Sequence, residues 1–512
     1  MSALNDLTNY DQPLQPNGID IRTEYLEPIT SSKLRHTFRL DQTGYLDTNS
    51  MFVFKYQAVG ADQNNNCRLN CWNGALGSIK RVIFQIGDNI INDIQDVYKY
   101  ATLKNTNMPC SVRNNFLGHY LGNSLWLDTQ RSLTDKPLGW FLDGAVGAVE
   151  GNTYAENNYS YAGAVITDHR KSGTNFGNRA GAPGDGAIIN SNLISTDKSL
   201  NHQHGITLGM LIPALKGQKI PLFLFEKQRI LLTIEFNTAD VYANNIKASK
   251  IVYSGGTENG ICSVGDIIPV DVRMVVDYLI MPTDIQNELT EKTRQEGGYK
   301  MEFYDVVNVE KNIVQGTNGQ VQAVEHRIGQ NNREVHNIIM WKDVSPLAQN
   351  DVGGNARGGA LMCGQGCLGY GKEEYNVNID GRDEFDHKVY NPISQYNELS
   401  NALGSDFQVS RPQYVNDSTA SSSELTTLAG GLRGTMKPLA LGLRNGEPLV
   451  VGGGRQMGNY PIIWKWQRDC NNAVQATNPR DDHPIKVNYF CELSRVANIL
   501  ATDKGVSVQV SY

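Results

Sequence analysis

Ten runs of the chain, none longer than ten residues, are dense in β-branched and aromatic side chains and are parted by clusters of Gly, Asn, Asp and Pro. They cover 50–59, 79–86, 220–224, 230–236, 271–280, 302–309, 335–341, 375–379, 462–466 and 506–510. Short runs of this kind form strands. Long helices do not alternate with them, which argues against a parallel sheet built through helical crossovers and for antiparallel sandwiches. A chain of 512 residues is about twice the length that one hydrophobic core fills, so two domains are expected. The 50 glycines supply the turns such a fold needs.

Three segments are expected to be helical. The first starts at Asp88 as cap, carries Ile90, Ile91, Ile94, Val97 and Tyr98 on one face, and ends near Asn105. The second runs from Pro282, Thr283 and Asp284 to Gly297, with Thr283 and Gln286 spaced as a capping box and Gly297 and Gly298 as the stop. It reads as a linker at mid-chain. The third has Asn391 as cap, Pro392 in the first turn, an apolar face of Ile393, Tyr396, Leu399 and Leu403, and Gly404 beyond its end.

The halves of the chain match in outline. Phe84, Gln85 and Ile86 lead into Gly87 and Asp88, and a helix with Asp96, Val97 and Tyr98 comes next; Val377, Asn378 and Ile379 lead into Asp380 and Gly381, and Val389 and Tyr390 precede a helix. Each half also closes on two apolar segments, 221–236 with 271–280 and 461–466 with 485–493. This pattern reads as a diverged duplication. Residues 128–205, 348–371 and 405–423 are rich in Gly, Asn and Ser with little periodicity, and are expected to be surface excursions.

Charge and motifs narrow the function. The 46 basic and 53 acidic residues give a formal net charge of -7, so the chain as a whole is repelled by phosphate backbones and direct genome binding is not expected. Residues 1–10 lack the basic and apolar regions of a secretory signal, Ser2 replaces the glycine that myristoylation requires, and 220–236 is broken by Glu226, Lys227 and Arg229, so no transmembrane segment is expected. Asn158 and Asn416 head glycosylation triplets that such a chain would leave unmodified. Gly364, Gly366 and Gly369 have the spacing of a dinucleotide fingerprint, but the chain from Lys372 onward reads as loop and strand where the phosphate needs a helix start. Gly366 to Lys372 approaches a phosphate-binding loop, with Glu373 where Ser or Thr should hold magnesium. Cys67 with Cys71 and Cys363 with Cys367 are each four apart; free thiols are expected of them and of Cys110, Cys262, Cys470 and Cys491. His169, His202 and His204, the acidic Asp481 and Asp482 beside His483, and Glu373 with Glu374 all read as solvated loop groups. No catalytic, cofactor-binding or metal residue is assigned, no cofactor is expected, and the chain is read as not an enzyme.

Leu211, Ile212 and Pro213 followed by Ile220, Pro221 and Leu222 and by 230–236, then 270–281 with the helix after Pro282, then 375–403, 434–443 and 458–466, form an order of segments that resembles the double jelly-roll major capsid proteins. These are shared by virophages, polinton-like viruses and, more distantly, adenoviruses, tectiviruses and giant DNA viruses. The chain lacks the apolar, Gly-rich opening frequent in giant-virus members, which places the resemblance nearer to the virophage and polinton-like side. The resemblance implies a mainly β fold of two consecutive eight-stranded antiparallel jelly rolls, with 1–24 as an arm, 25–282 as the first sandwich carrying the insertion 128–205, 283–300 as a linker helix and 301–512 as the second sandwich. It further implies a homotrimer of pseudo-hexagonal outline, a lattice of such trimers in an icosahedral virion shell, and penton and minor capsid proteins as partners, with synthesis in the host cytoplasm or nucleus. An alternative is a β-sandwich attachment protein of a virion that binds a receptor or carbohydrate through its loops.

Overall fold

The computed structural model describes residues 20–59, 67–69, 74–106, 121, 193–194, 203–215, 219–225, 228–238, 243–245, 266–317, 319–344, 373–403, 438–443, 453–470, 484–502 and 505–511. In the first half the principal strands are β1 (Asp20–Leu26), β2 (Arg35–Leu40), β3 (Met51–Val59), β4 (Ile79–Ile86), β5 (Asn89–Gln95), β6 (Gln203–Thr207), β7 (Ile230–Phe236) and β8 (Asp266–Ile280), with α1 (Val97–Thr106) after β5. They pair antiparallel in two sheets, in the orders β1-β8-β3-β6 and β2-β7-β4-β5.

After α2 (Thr283–Gln295) come β9 (Tyr299–Ile313), β10 (Gln320–Ile328), β11 (Glu334–Val344), β12 (Glu373–Ile379), β13 (Arg382–Asp383), α3 (Pro392–Leu403), β14 (Leu439–Gly442), β15 (Ile462–Cys470) and β16 (Ile485–Thr502). Their sheets run β9-β16-β11-β14 and β10-β15-β12-β13, so adding eight to each first-half label reproduces the second half. An extra strand, β17 (Gly505–Ser511), pairs with β16. Two sheets whose strands interleave in this order form a jelly roll. The chain is a double jelly roll, and the duplication read from the sequence is present in its topology.

Alternation explains the layers. In β15 every second residue points inward, from Ile462 through Trp464, Trp466 and Arg468 to Cys470, while the residues between are half-buried. In the first sandwich Phe52, Phe54 and Tyr56 of β3 face Phe38, Phe84 and Leu232 of the other sheet across one apolar core. The closing apolar segments of each half lie in opposite sheets, β7 and β15 in one and β8 and β16 in the other.

Several local expectations are corrected. Residues 89–95 are a strand, and helix α1 begins only at Val97. Ile86 pairs with Asn89 across the two-residue turn Gly87 and Asp88, where Gly87 has φ 59°, so Asp88 belongs to a hairpin and not to a helix cap. Asp96, with φ 54°, separates strand from helix. The stretch 220–224 is a two-residue strand, Ile220–Pro221, followed by a 3-10 turn, Leu222–Phe225. The capping box at Thr283 does not form: Thr283 is already helical, and Gln286 Nε2 instead donates to the Met281 carbonyl at 2.9 Å. Helix α2 packs through Leu289 on Tyr45, Phe223, Leu224, Leu279 and Met281. Asn391 does cap α3, its Oδ1 accepting from the Ser394 N–H at 2.7 Å, but Ile393 faces solvent while Leu399 and Leu403 are buried. Of the expected excursions, 348–371 and 405–423 lie outside the described residues, as does 128–205 apart from 193–194 and 203–205.

Candidate assembly interface

The middle of the sheet β9-β16-β11-β14 is buried on both faces. Tyr489, Cys491, Ile338, Met340, Leu439 and Leu441 belong to the core of the second sandwich, whereas their neighbours Phe490, Ile339, Trp341 and Ala440 join the apolar cluster of the first. Phe490, Ile339 and Ala440 lie side by side in register. Burial on both faces turns the outward row into a docking surface, and β5, α1 and the turn Pro213–Leu215 of the first sandwich occupy it together with α3.

Polar groups lock this seam in three places. Asp305 on β9 receives Arg495 Nη1 at 2.6 Å and Asn92 Nδ2 at 2.7 Å, while the same Arg495 nitrogen donates to the Ile91 carbonyl at 3.2 Å. Lys99 Nζ on α1 donates to Asn488 Oδ1 at 2.7 Å, and Asn488 Nδ2 donates to Asp96 Oδ2 and Asn308 Oδ1 at 3.2 Å each. The Tyr100 hydroxyl donates to Glu492, which also accepts from Asn337, and the Tyr100 ring lies 5.9 Å from that of Phe490. Each buried carboxylate therefore has donors from two elements, the condition under which buried charge is tolerated.

A second buried charge pair lies within the second sandwich. Lys342 of β11 meets Glu373 of β12 at 2.5 Å, neither exposed, and Trp466 Nε1 donates to the same carboxylate at 3.1 Å. Glu373 and Glu374 are thus strand residues: Glu373 is a core group, and Glu374 pairs with Lys388 at 3.0 Å. Their reading as solvated loop charge is corrected, and the spacing of charged residues carried no signal of the pair. Burial raises the Tyr375 and Tyr489 hydroxyls in this core well above their ordinary value and pushes the Cys491 thiol up to about 12. That thiol stays protonated.

His204 is also not a loop group, since it is buried on β6 with its ring 5.2 Å from Tyr56. His169, His202, Cys71, Cys363, Cys367, Asn158, Asn416, Asp481, Asp482, His483 and the glycines 364, 366 and 369 lie outside the described residues, and Cys67 is described only as part of a short strand, Cys67–Leu69. Among the described residues no three His, Cys, Asp or Glu side chains gather as a metal site, and no helix is long and apolar enough to cross a membrane. The seam residues escaped sequence reasoning because Asn92, Asp96, Lys99, Asp305 and Arg495 look like ordinary surface residues until two domains meet.

The open surface is distributed unevenly. On the sheet β1-β8-β3-β6, the counterpart of the buried one, the outward residues Tyr25, Val275, Met51 and Thr207 stand in register with none buried. Tyr25 is 72% exposed and Ile21, on the same strand face, 66%. At the start of α3, Tyr390 is 65% and Ile393 81% exposed.

No protein-family model matches the sequence, and no curated protein matches it. Solved structures do. The structure of PBCV-1 VP54 fitted into a reconstruction of the virophage Sputnik aligns over 98% of this chain and 100% of its own, with a TM-score of 0.53 and 8% identity. The structure of the Sputnik virophage aligns over 99% and 91%, with a TM-score of 0.54 and 10% identity. The Faustovirus major capsid protein aligns over 95% and 92%, with a TM-score of 0.50 and 9% identity. At these identities the likeness is one of fold, and it spans both sandwiches.

Proposed function

We propose that the chain is a major capsid protein whose copies associate as trimers and tile an icosahedral virion shell, without catalytic activity. The observation that carries this reading is the pair of sandwiches with one strand order, locked by a buried polar seam into a single block. A block with two equivalent halves lets three copies present six similar units, and six such units fill a hexagonal cell. The capsid proteins that share the fold along nearly their whole length support it. On this reading 1–24 is an arm whose last residues, from Asp20, run into strand β1 and add it to the first sandwich, 25–282 is the first domain with the insertion 128–205, 283–300 the linker and 301–512 the second domain. The virion capsid is its location, synthesis is in the host cytoplasm or nucleus, and penton and minor capsid proteins are its further partners.

Negative-stain electron microscopy and sedimentation of the purified full chain test the proposal. Three-lobed, six-sided particles are expected, with flat hexagonal arrays at high concentration. A monomer at every concentration, or a sparse vertex-bound protein in virions, would overturn it in favour of an attachment role.

A further inference from the structure

We infer that the open edge of β10 in the second sandwich takes an extended segment of another protein as an added antiparallel strand, apolar where it passes Val321 and acidic where it passes Arg327. The inference stands on the edge itself and goes beyond the capsid reading.

The two sandwiches treat the same edge differently. In the first, β2 pairs with β7 on one side and on the other with the short strand Thr30–Ser31, Thr30 opposite Thr37 and Ser31 opposite His36. The Ile29 N–H donates to the Thr37 carbonyl and the Ser32 N–H to the Arg35 carbonyl, both at 2.8 Å, which completes the cover. The counterpart of β2 in the second sandwich is β10. It pairs with β15 from Gln320 to Ile328, and among the described residues no strand lies against its other edge. The link between β1 and β2 supplies the cover in the first sandwich; the link between β9 and β10 is a turn that closes with the Gln320 N–H on the Thr317 carbonyl at 3.1 Å.

Proteins blunt open edges with proline, bulges or charge. Strand β10 has no proline and no bulge, and its charged residues, Glu325 and Arg327, stand at one end. At the other end Val321 is 57% exposed and Val314 74%. That end is held in place: Gln322 Nε2 donates to the Val314 carbonyl at 2.9 Å, the Gly319 N–H donates to the Cys470 carbonyl at 2.6 Å, and a Cβ at Gly316 would strike Cys470 Sγ. A preformed edge needs little ordering when a strand is added to it.

Charge and register argue for another protein over a second copy. Two β10 strands pairing antiparallel set Glu325 against Arg327 when centred on His326, and that register leaves Val321 beyond the end of the other strand. The register that overlaps the full strands sets Val321 against Arg327 and Glu325 against Ala323. Within the sheet Glu325 already stands opposite Lys465, whereas Arg327 stands opposite Ile463. An added strand with a β-branched residue across from Val321 and a carboxylate across from Arg327 answers both ends at once.

The test measures binding of a fluorescent synthetic peptide to the full chain by polarisation, with thermal melting to check that each variant is folded. The peptide has the length of β10 and alternates Thr and Val, with Glu at the place that meets Arg327 in antiparallel register. Saturable binding is expected. Because an added strand pairs through alternate amides, N-methylation of one alternate set is expected to abolish binding and of the other set to spare it. Arg327→Glu is expected to raise the Kd roughly fivefold, and a peptide with Lys in place of Glu to restore it. Val321→Asp is expected to weaken binding of either peptide, and Ile393→Ser, an exposed apolar position outside β10, to leave it unchanged. No saturable binding, or equal binding of both methylated peptides, overturns the inference. Self-association of the parent chain that Arg327→Glu abolishes would give the edge to a second copy and overturns it too. Loss of the peptide leaves the capsid reading standing, and a chain that binds the peptide yet never forms trimers defeats that reading alone.

Discussion

Lys342 and Glu373 meet 2.5 Å apart in the middle of the second sandwich, one from each sheet, with no exposure to water on either side chain. The pair bridges the layers where apolar residues would ordinarily interdigitate. Lys342→Met or Glu373→Leu alone leaves one charge buried without its partner, and each is expected to destabilise the chain by about 3–5 kcal/mol. The double variant, which removes both charges, is expected to cost much less than the sum. Urea unfolding of the three variants checks this; additive losses would show that the two residues act separately.

Arg495→Met removes the donor that ties Asp305 and the Ile91 carbonyl together across the seam. Because the seam shares an apolar cluster with the first sandwich, the parent chain is expected to unfold in one transition followed by any probe. The variant is expected to show two, one for each sandwich, with the loss of about 3–5 kcal/mol confined to the coupling between them. Calorimetry with separate fluorescence probes in the two halves would reveal a parent chain already unfolding in two steps, and that result would refute the prediction.

Acid should weaken the first sandwich through His36. Its Nδ1 lies 3.0 Å from Ser31 Oγ, its ring meets Phe236 edge-on at 5.7 Å, and burial lowers its pKa from the ordinary 6.5. The neutral form is the one the fold favours. Its contribution is therefore complete above pH 6.5 and is lost as the pH falls below 6.5 toward the lowered folded value, beneath which it changes no further. Replacing His36 with Phe is expected to flatten the stability profile between pH 6.5 and that point, relative to the parent, in a series of denaturant melts. Parallel profiles would exclude His36 as a contributor. His326, lowered by burial and then by the charge of Lys311, is expected to add a similar slope in the second sandwich.

On the capsid reading proposed above, chelators and reductants are expected to leave a trimer of the chain intact, whereas salt governs contacts between trimers. The buried Cys470 and Cys491 form no disulfide, and obligate interfaces of apolar character bury roughly 2,000 Å² or more and respond little to ionic strength. Sedimentation with EDTA, with dithiothreitol and across a salt series separates the cases. Trimers that dissociate on chelation or reduction alone would point to a metal or disulfide at the remaining cysteines.

Much of the fold was legible because alternation and turn chemistry agree along most strands. The segments at Ile79–Ile86, Ile230–Phe236 and Ile462–Cys470 bury alternate residues along most of their length, and period two admits one reading. Residues 89–95 misled because Ile90, Ile91, Ile94, Val97 and Tyr98 also fit helical spacing, and only the tight Gly87–Asp88 turn and the left-handed Asp96 decide for a strand followed by a helix. Strand β1 was missed for another reason: Asp20 to Thr23 are all exposed, so no inward apolar partner announces a strand that is held by its pairing with β8. The seam was invisible in principle, since Asn92 lies 213 positions from its partner Asp305 and Arg495 lies 190 from that same aspartate. Long-range polar complementarity leaves no periodic trace in a single sequence.

The interleaved strand order has a consequence for how the chain is made. Thr23 and Asp277 are joined by a hydrogen bond across 254 positions, so the first and last strands of the first sandwich meet only after everything between them has left the ribosome. Until then the edge of β3 that will pair with β8 is bare, and the aromatic row of Phe52, Phe54 and Tyr56 lacks part of its cover. Such non-local closure is slow, and an open apolar edge invites pairing with the wrong chain. A nascent protein built this way is most exposed to mispairing just before residue 280 emerges, and again just before residue 502.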